Sequence, residues 1–201
     1  MLALSGLAII TLVGCQPVPT ELETPEIVWI TEAGGPLESD PWLEAAHASD
    51  LGLRLAYNAR DFTISQLTET WSASSVKTIY SVYRLRFVEG GAKPEAFPGP
   101  AVWLPLEITE SADGQSAEVT VCVASEGWLL TADGETPLDI DNGHEFTFEM
   151  GKDSATGNIV LLNTSGPSDA CDATGAAVGR FDPQPDPPAE ISESDVRAPL
   201  G

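Results

Sequence analysis

The spacing of apolar residues changes near Pro94, and this change constrains the fold more than any other feature of the sequence. Before Pro94, apolar residues recur three and four positions apart, as on one face of an α-helix. After it, they alternate with polar residues, as in a β-strand with one buried face. Helices followed by antiparallel strands predict an α+β fold, with N-terminal helices packed on one face of a curved sheet of four or more strands.

Capping signals place two helices in the first half of the domain. The first is predicted from Pro41 to about Arg60, with Asp40 as its N-cap. The second is predicted to start after Ser74 or Ser75 and to stop at Gly90. Its β-branched and aromatic residues would also suit a strand, but the period and both caps favour a helix.

Two β-hairpins are predicted in the second half of the domain. The first turns at Asp113-Gly114 and the second at Gly157-Asn158. The alternation predicts that one face of the sheet carries apolar side chains. This face is expected to carry Val102, Leu104, Leu106, Val119, Val121, Phe146 and Phe148.

The first fourteen residues form an uncharged, mostly apolar segment. This length suits a signal peptide and is shorter than the roughly 20 residues needed to span a bilayer. The segment ends in Leu12-Val13-Gly14-Cys15, which resembles the lipobox of bacterial lipoproteins. The resemblance implies cleavage before Cys15 and a diacylglyceryl group, with acyl chains such as palmitate, on that residue. It also implies an extracytoplasmic protein held by lipid at the outer face of the cell membrane. No Lys or Arg precedes Arg54, so we expect the natural start of the chain to lie upstream.

Acidic, proline-containing stretches flank the predicted domain, which we place at residues 42–180. Residues 15–41 are expected to form a tether, and residues 181–201 a disordered tail. Within the tether, Ile27–Ile30 is an apolar island that suits an edge strand or a docking patch. The formal net charge of −22 opposes binding to the phosphates of nucleic acids, so no nucleic-acid partner is expected.

Three cysteines remain to be assigned. With Cys15 acylated, Cys122 and Cys171 form an even pair in an exported chain, which predicts a disulfide between them. No metal site and no cofactor are expected, because His47 and His144 are isolated and no ligand spacing typical of zinc occurs.

The order of elements, the strand Ala117-Glu-Val-Thr-Val-Cys-Val123, the aromatic Trp128 and the late Cys171 together resemble a known family. They are similar to the actinobacterial cell-envelope lipoproteins with a cystatin-like cone, in the superfamily of nuclear transport factor two. The resemblance covers about residues 42–180. It implies a curved sheet wrapped around helices with a pocket inside, and the apolar face of the sheet is then the possible pocket wall. Different members use this pocket for catalysis or for partner binding.

The function classes that remain are a binding module and an enzyme. No nucleophile elbow, P-loop or dinucleotide fingerprint occurs, and His47 and His144 stand in polar contexts. We therefore expect a binding or accessory domain for an envelope protein or a small apolar ligand, without catalysis. The alternative is a small-molecule enzyme of the polyketide-cyclase or ketosteroid-isomerase kind. A cavity of roughly 300 Å³ with a buried ionisable group would favour that alternative.

Overall fold

In the body of the protein the helices precede the antiparallel strands, as the sequence predicts. The structure is a computed structural model and describes residues 22–32, 34–124 and 127–199. The predicted signal peptide and Cys15 lie outside the described residues. The helices are α1 (Pro41–Ala59), α2 (Ser65–Thr68) and α3 (Ala73–Tyr83), the last continued by a π-helical segment (Arg84–Glu89). The strands are β1 (Glu26–Thr31), β2 (Glu95–Ala96), β3 (Trp103–Glu110), β4 (Ser116–Val123), β5 (Leu130–Thr131), β6 (Gly134–Glu135), β7 (Gly143–Lys152), β8 (Ile159–Ser165), β9 (Ala170–Cys171) and β10 (Val178–Asp182).

The main sheet has five strands and is entirely antiparallel. Its order is β3-β4-β7-β8, with β9 pairing with β7. Both predicted hairpins are confirmed, β3-β4 through Gly114 and β7-β8 through Gly157, and both glycines have a positive φ. The α1 helix contacts β3, β4, β7 and β8, so the predicted α+β architecture is confirmed.

The first helix forms as its capping signals predict. The Asp40 carboxylate accepts a hydrogen bond from the Trp42 N–H at 2.8 Å, and Pro41 occupies the first turn. The helix is continuous through Gly52. A Cβ at Gly52 would lie 2.2 Å from the Gln66 carbonyl oxygen, so this glycine allows α2 to pack directly on α1.

The second predicted helix corresponds to α3, which begins earlier than predicted. Ser72, rather than Ser74 or Ser75, is the N-cap, and its hydroxyl oxygen accepts the Ser75 N–H at 3.2 Å. Beyond Tyr83 the backbone widens into a π-helix, and the N–H of Gly90 donates to the Leu85 carbonyl at its end. The predicted stop at Gly90 is thus confirmed.

The predicted tether and tail meet in a two-stranded antiparallel ribbon of β1 and β10. The edge-strand interpretation of Ile27–Ile30 is confirmed. The domain boundaries predicted at residues 42 and 180 are wrong, because strand pairing begins at Glu26 and continues to Asp182.

The C-terminal segment also packs against the body, contrary to the expected disordered tail. Val196 is buried, and the Arg197 guanidinium donates to the Asp61 carboxylate at 2.8 Å. Backbone hydrogen bonds join Arg197 to Arg60 and Phe62 on either side of this ion pair. These long-range contacts join the described part of the acidic stretch to the body despite its low apolar content.

A β-bulge in β3 changes which side chains share a face. The pairing register with β4 shifts between Pro105 and Glu107, so the strict alternation predicted across Leu106 is broken. Trp103 faces the helices, whereas Leu104 packs on the opposite side and Leu106 is 40% exposed.

Two hydrophobic clusters result. The main core lies between the helices and the main sheet, and its most deeply buried members include Leu43, Phe62, Leu67, Val119, Val121 and Met150. The second core lies on the other side of the sheet and consists of Val102, Cys122, Ala124, Trp128, Ala173 and Ala176. In the described residues no helix has the length and hydropathy to cross a membrane.

Candidate functional site

A partly open apolar cleft of about 320 Å³ lies between α1 and the main sheet. This volume is at the lower end of the roughly 300–1,000 Å³ typical of ligand pockets. Its apolar lining consists of Ala46, Leu53, Trp71, Ile79, Phe97, Ala101, Val123, Phe146, Phe148 and Leu161. Its remaining lining residues are Ser49, Asp50, Arg54 and Thr164.

The two long walls of the cleft follow from helix and strand periodicity. On α1, Ala46, Asp50 and Leu53 stand three and four positions apart and therefore face the same side. On β7, Phe146 and Phe148 stand two positions apart and project from the same face of the sheet.

An ion pair lies within the helical wall. The Arg54 Nε is 3.1 Å from both carboxylate oxygens of Asp50, one turn earlier, and both side chains are largely buried. The backbone N–H of Ala101 donates to the same carboxylate at 2.9 Å. The Arg54 guanidinium also lies 4.3 Å from the centre of the Phe97 ring. The charges are thus paired within the wall, leaving it close to neutral.

Two further polar groups beside the cleft, on Trp71 and Ser49, are also bonded. The Trp71 indole N–H donates to the Ser49 carbonyl at 2.7 Å. The Ser49 hydroxyl lies within hydrogen-bond distance of the Ala45 and Thr70 carbonyls, at 2.8 and 2.9 Å. A ligand in the cleft therefore meets apolar carbon surface and few open polar groups.

Phe146 and Phe148 are the two predicted wall residues that line the cleft. Val119 and Val121 face the same side but are completely buried in the main core.

The other predicted wall residues lie elsewhere. Val102 is buried in the second core and Leu104 packs against it. Leu106 is exposed at the bulge. The predicted wall is wrong for these three residues, because β3 cannot keep one face inward on both sides of a bulge.

Sequence reasoning missed most of the helical wall. Asp50 and Arg54, which belong to that wall, were not predicted from the sequence. The useful signal is their i,i+4 spacing on an otherwise apolar helix face, which indicates a paired charge rather than a solvated one.

Both histidines lie outside the cleft lining. His47 is half-buried, its ring centre 4.3 Å from that of Trp103, and its Nε2 is 3.8 Å from the Glu38 carboxylate. Burial lowers the pKa of His47 below its usual 6.5, while the Glu38 and Asp50 carboxylates oppose that change. His144 is exposed on β7.

The predicted disulfide between Cys122 and Cys171 is confirmed, with Cα atoms 5.9 Å apart. It joins β4 to β9 across the intervening β7. Among the described residues, no group of three or more His, Cys, Asp or Glu side chains is placed to hold a metal ion.

Three further bases near the helices are paired with acids. Arg86 bonds to Glu95, Lys93 to Asp133, and Arg84 to both Glu89 and Glu193. These ion pairs offset part of the acidic charge around the helices.

Comparison with known proteins leaves the family open. No family model and no curated protein matches this chain. The crystal structure of the intermembrane-space region of the chloroplast protein ARC6 aligns over 63% of this chain and 93% of its own length. The identity is 11% and the TM-score 0.35, so this likeness carries no argument about function.

Proposed function

We propose that this chain is a lipid-anchored, extracytoplasmic binding module of the bacterial envelope, which holds a small apolar ligand in the cleft and catalyses no reaction. The proposal rests on the cleft itself, whose wall is largely apolar and in which the Asp50 carboxylate, the Ser49 hydroxyl and the Trp71 indole N–H are bonded internally. Ligand pockets usually combine an apolar lining with a few polar groups that orient the ligand. Here that orienting function falls to Thr164 at the exposed edge of the cleft.

Charge restricts the ligand further. The Asp50–Arg54 pair contributes no net charge to the wall, and the whole chain carries −22. An anionic ligand would approach against this potential, whereas a neutral apolar one would not. We therefore expect a neutral ligand that is bound mainly by burial of apolar surface.

The anchor is proposed on the sequence Leu12-Val13-Gly14-Cys15. A diacylglyceryl group contributes about 0.8 kcal/mol for each buried methylene, so its acyl chains would hold an acidic protein on a membrane that its charge disfavours. The resemblance to cone-like envelope lipoproteins is part of the same proposal.

One observation favours the enzyme alternative, since the cleft is larger than 300 Å³ and contains the buried Asp50 carboxylate. A polyketide-cyclase-like or ketosteroid-isomerase-like reaction needs a group that takes up a proton. Protonation of Asp50 would weaken its hydrogen bonds from Arg54 and Ala101, and would leave the Arg54 charge buried beside a neutral acid. This arrangement favours a structural ion pair over a general base.

The binding proposal is tested with the neutral fluorescent probe N-phenyl-1-naphthylamine. Thr164→Phe places a ring at the cleft, whereas Asn163→Phe places one on the opposite face of the same strand, and both positions are exposed. We expect Thr164→Phe to weaken probe binding by about tenfold or more, and Asn163→Phe to leave it unchanged. Equal affinities for the two variants would place the probe elsewhere and contradict the proposal.

The anchor is tested separately by intact mass spectrometry of protein from its own host. A lipid on an N-terminal Cys15 and partition into detergent are expected, with Cys15→Ala released or left uncleaved. An unmodified N-terminus at another residue would contradict the localisation.

A further inference from the structure

Strand β1 presents an apolar edge that the described residues leave open. It pairs with β10, and no second strand among the described residues pairs with its other side. Three consecutive side chains on it are strongly exposed: Val28 at 49%, Trp29 at 47% and Ile30 at 62%. An exposed apolar edge strand is a template for pairing with another extended chain.

The direction of the backbone groups follows from one hydrogen bond. The Phe181 N–H donates to the Pro98 carbonyl at 3.0 Å, and so points away from β1. Phe181 and its opposite residue Ile27 therefore form a non-hydrogen-bonded pair, in which both residues direct N–H and C=O outward. Successive residues of a strand direct their backbone N–H and C=O groups to opposite edges, so Trp29, two positions after Ile27, also directs these groups to the open side.

Strand β1 has few of the features that usually prevent an edge strand from pairing with another chain. Strand edges are commonly blunted by Lys, by Pro or by a bulge. Residues Glu26–Thr31 contain no Lys and no Pro, and the register shift of β1 lies between Trp29 and Thr31. The stretch from Glu26 to Trp29 thus keeps regular strand geometry.

Carboxylates stand at both ends of this edge. Glu23 and Glu26 precede the apolar residues, Glu32 follows them, and Asp182 lies opposite Glu26 on β10. None of these four forms an ion pair within the described residues. The nearby Arg180, opposite Val28, is bonded to Glu135 and leaves their charge uncompensated.

We infer that β1 binds an extended segment of a partner protein as an added strand, and that this segment has a β-branched centre and Lys or Arg at its ends. Main-chain hydrogen bonds to Ile27 and Trp29 would supply affinity, and the flanking carboxylates would select basic ends. This inference does not depend on the cleft.

A second copy of the chain fits this edge less well. Antiparallel pairing centred on Trp29 would set Glu26 opposite Glu32 of the other copy at both ends, and like charges directly opposite destabilise a sheet. The charge of −22 on each chain adds a general repulsion. A bilayer with anionic headgroups is disfavoured for the same reason.

The test is fluorescence anisotropy of the full chain with a labelled, end-capped peptide, Lys-Val-Thr-Val-Thr-Val-Lys, against the same peptide with Glu at both ends. Val28→Lys adds a charge to the edge, and Val82→Lys adds the same charge on α3, where the valine is 55% exposed. We expect the basic peptide to bind, Val28→Lys to weaken binding by about tenfold or more, and Val82→Lys to leave it within about twofold.

A second pair of variants tests the charge without touching the apolar surface. Glu26→Gln should weaken binding of the basic peptide and reduce its dependence on salt, whereas Glu190→Gln, exposed on the C-terminal segment, should do neither. Melting temperatures near that of the parent show that each variant folds.

Four results would overturn the inference. The first two are that the basic peptide does not bind, or that the Glu-ended peptide binds equally well. The third is that Val28→Lys and Val82→Lys change peptide affinity equally. The fourth is that the chain sediments as a dimer, which Val28→Lys dissociates. Flotation of the unlipidated chain with phosphatidylcholine vesicles that Val28→Lys abolishes would likewise assign the edge to lipid. Cleft binding of the neutral probe is expected to be unchanged in all these variants, so failure of either proposal can be recognised separately.

Discussion

The main core and the second core lie on opposite faces of the same sheet, and different interactions stabilise them. The main core packs aromatic and aliphatic side chains from α1, α2, α3 and five strands, and Phe62 within it contacts the rings of Tyr57, Tyr80 and Tyr83. The second core is small and contains three alanines and one large ring, Trp128. The main core therefore buries more apolar side chains than the second core, and burial of apolar surface contributes correspondingly more to its stability.

Covalent and polar links compensate for the small apolar area of the second core. The Cys122–Cys171 bond crosses it, and the Trp128 indole N–H donates to the Glu135 carboxylate at 2.6 Å. Arg180 bonds to the same carboxylate and lies over the Trp128 ring. The comparison shows that one sheet can use burial on one face and cross-linking on the other.

The largest expected effect comes from removing a ring from the main core. Phe62 is fully buried, so Phe62→Ala should lower the free energy of unfolding by about 3–5 kcal/mol, through lost burial and a residual cavity. Urea denaturation measures this change. Leu106→Ala, at an exposed apolar position, is the control and should change stability by about 0.5 kcal/mol or less. Similar losses for the two variants would contradict the assignment of the main core.

The disulfide should matter almost as much, but more locally. Its two cysteines are 49 positions apart, and replacing both with alanine should lower the free energy of unfolding by about 2–4 kcal/mol. Hydrogen exchange should accelerate first in residues 127–140, while α1 stays protected. Uniform acceleration in both regions would show that the two cores unfold as one unit and would remove the distinction between them.

The sequence predicted those parts of the fold whose causes are local. The Asp40 cap, the Gly114 and Gly157 turns and the alternation in β4 and β7 each depend on neighbouring residues, and all are confirmed. The disulfide also followed, because only two cysteines remained once Cys15 was assigned to the lipobox-like motif.

The parts that were missed depend on contacts between distant residues. The Asp50 carboxylate is bonded to the N–H of Ala101, 51 positions away, and no local pattern indicates that contact. The order of the C-terminal segment likewise depends on Arg197 reaching Asp61. The bulge at Leu106 was missed because Leu104, Leu106 and Ile108 are spaced two positions apart in the sequence, and only the pairing with β4 shows the extra residue.

The smallest predicted effect concerns pH and the rim of the main core, where His47 packs on Trp103. Burial lowers the pKa of His47 in the folded state, so near pH 6 the unfolded chain binds more protons than the folded one. The folded state is therefore favoured when His47 is neutral. This stabilisation is complete above the unfolded pKa of 6.5 and is lost as the pH falls through the lower folded pKa. The side chain is 39% exposed, so solvent screens the effect and we expect only a slight one.

The measurement compares urea unfolding at about pH 7 and about pH 5 for the parent, His47→Gln and His144→Gln. The change in the free energy of unfolding between the two pH values is compared between each variant and the parent. This difference cancels the contribution of the carboxylates, which all three proteins share. The parent and His144→Gln should lose slightly more stability on acidification than His47→Gln, because only they retain the buried imidazole. If the parent instead gains stability at low pH relative to His47→Gln, folding raises the pKa of His47 rather than lowering it. The attraction of protonated His47 to Glu38, 3.8 Å away, would then exceed the cost of burying its charge, and the rim would be held by an ion pair rather than by packing on Trp103.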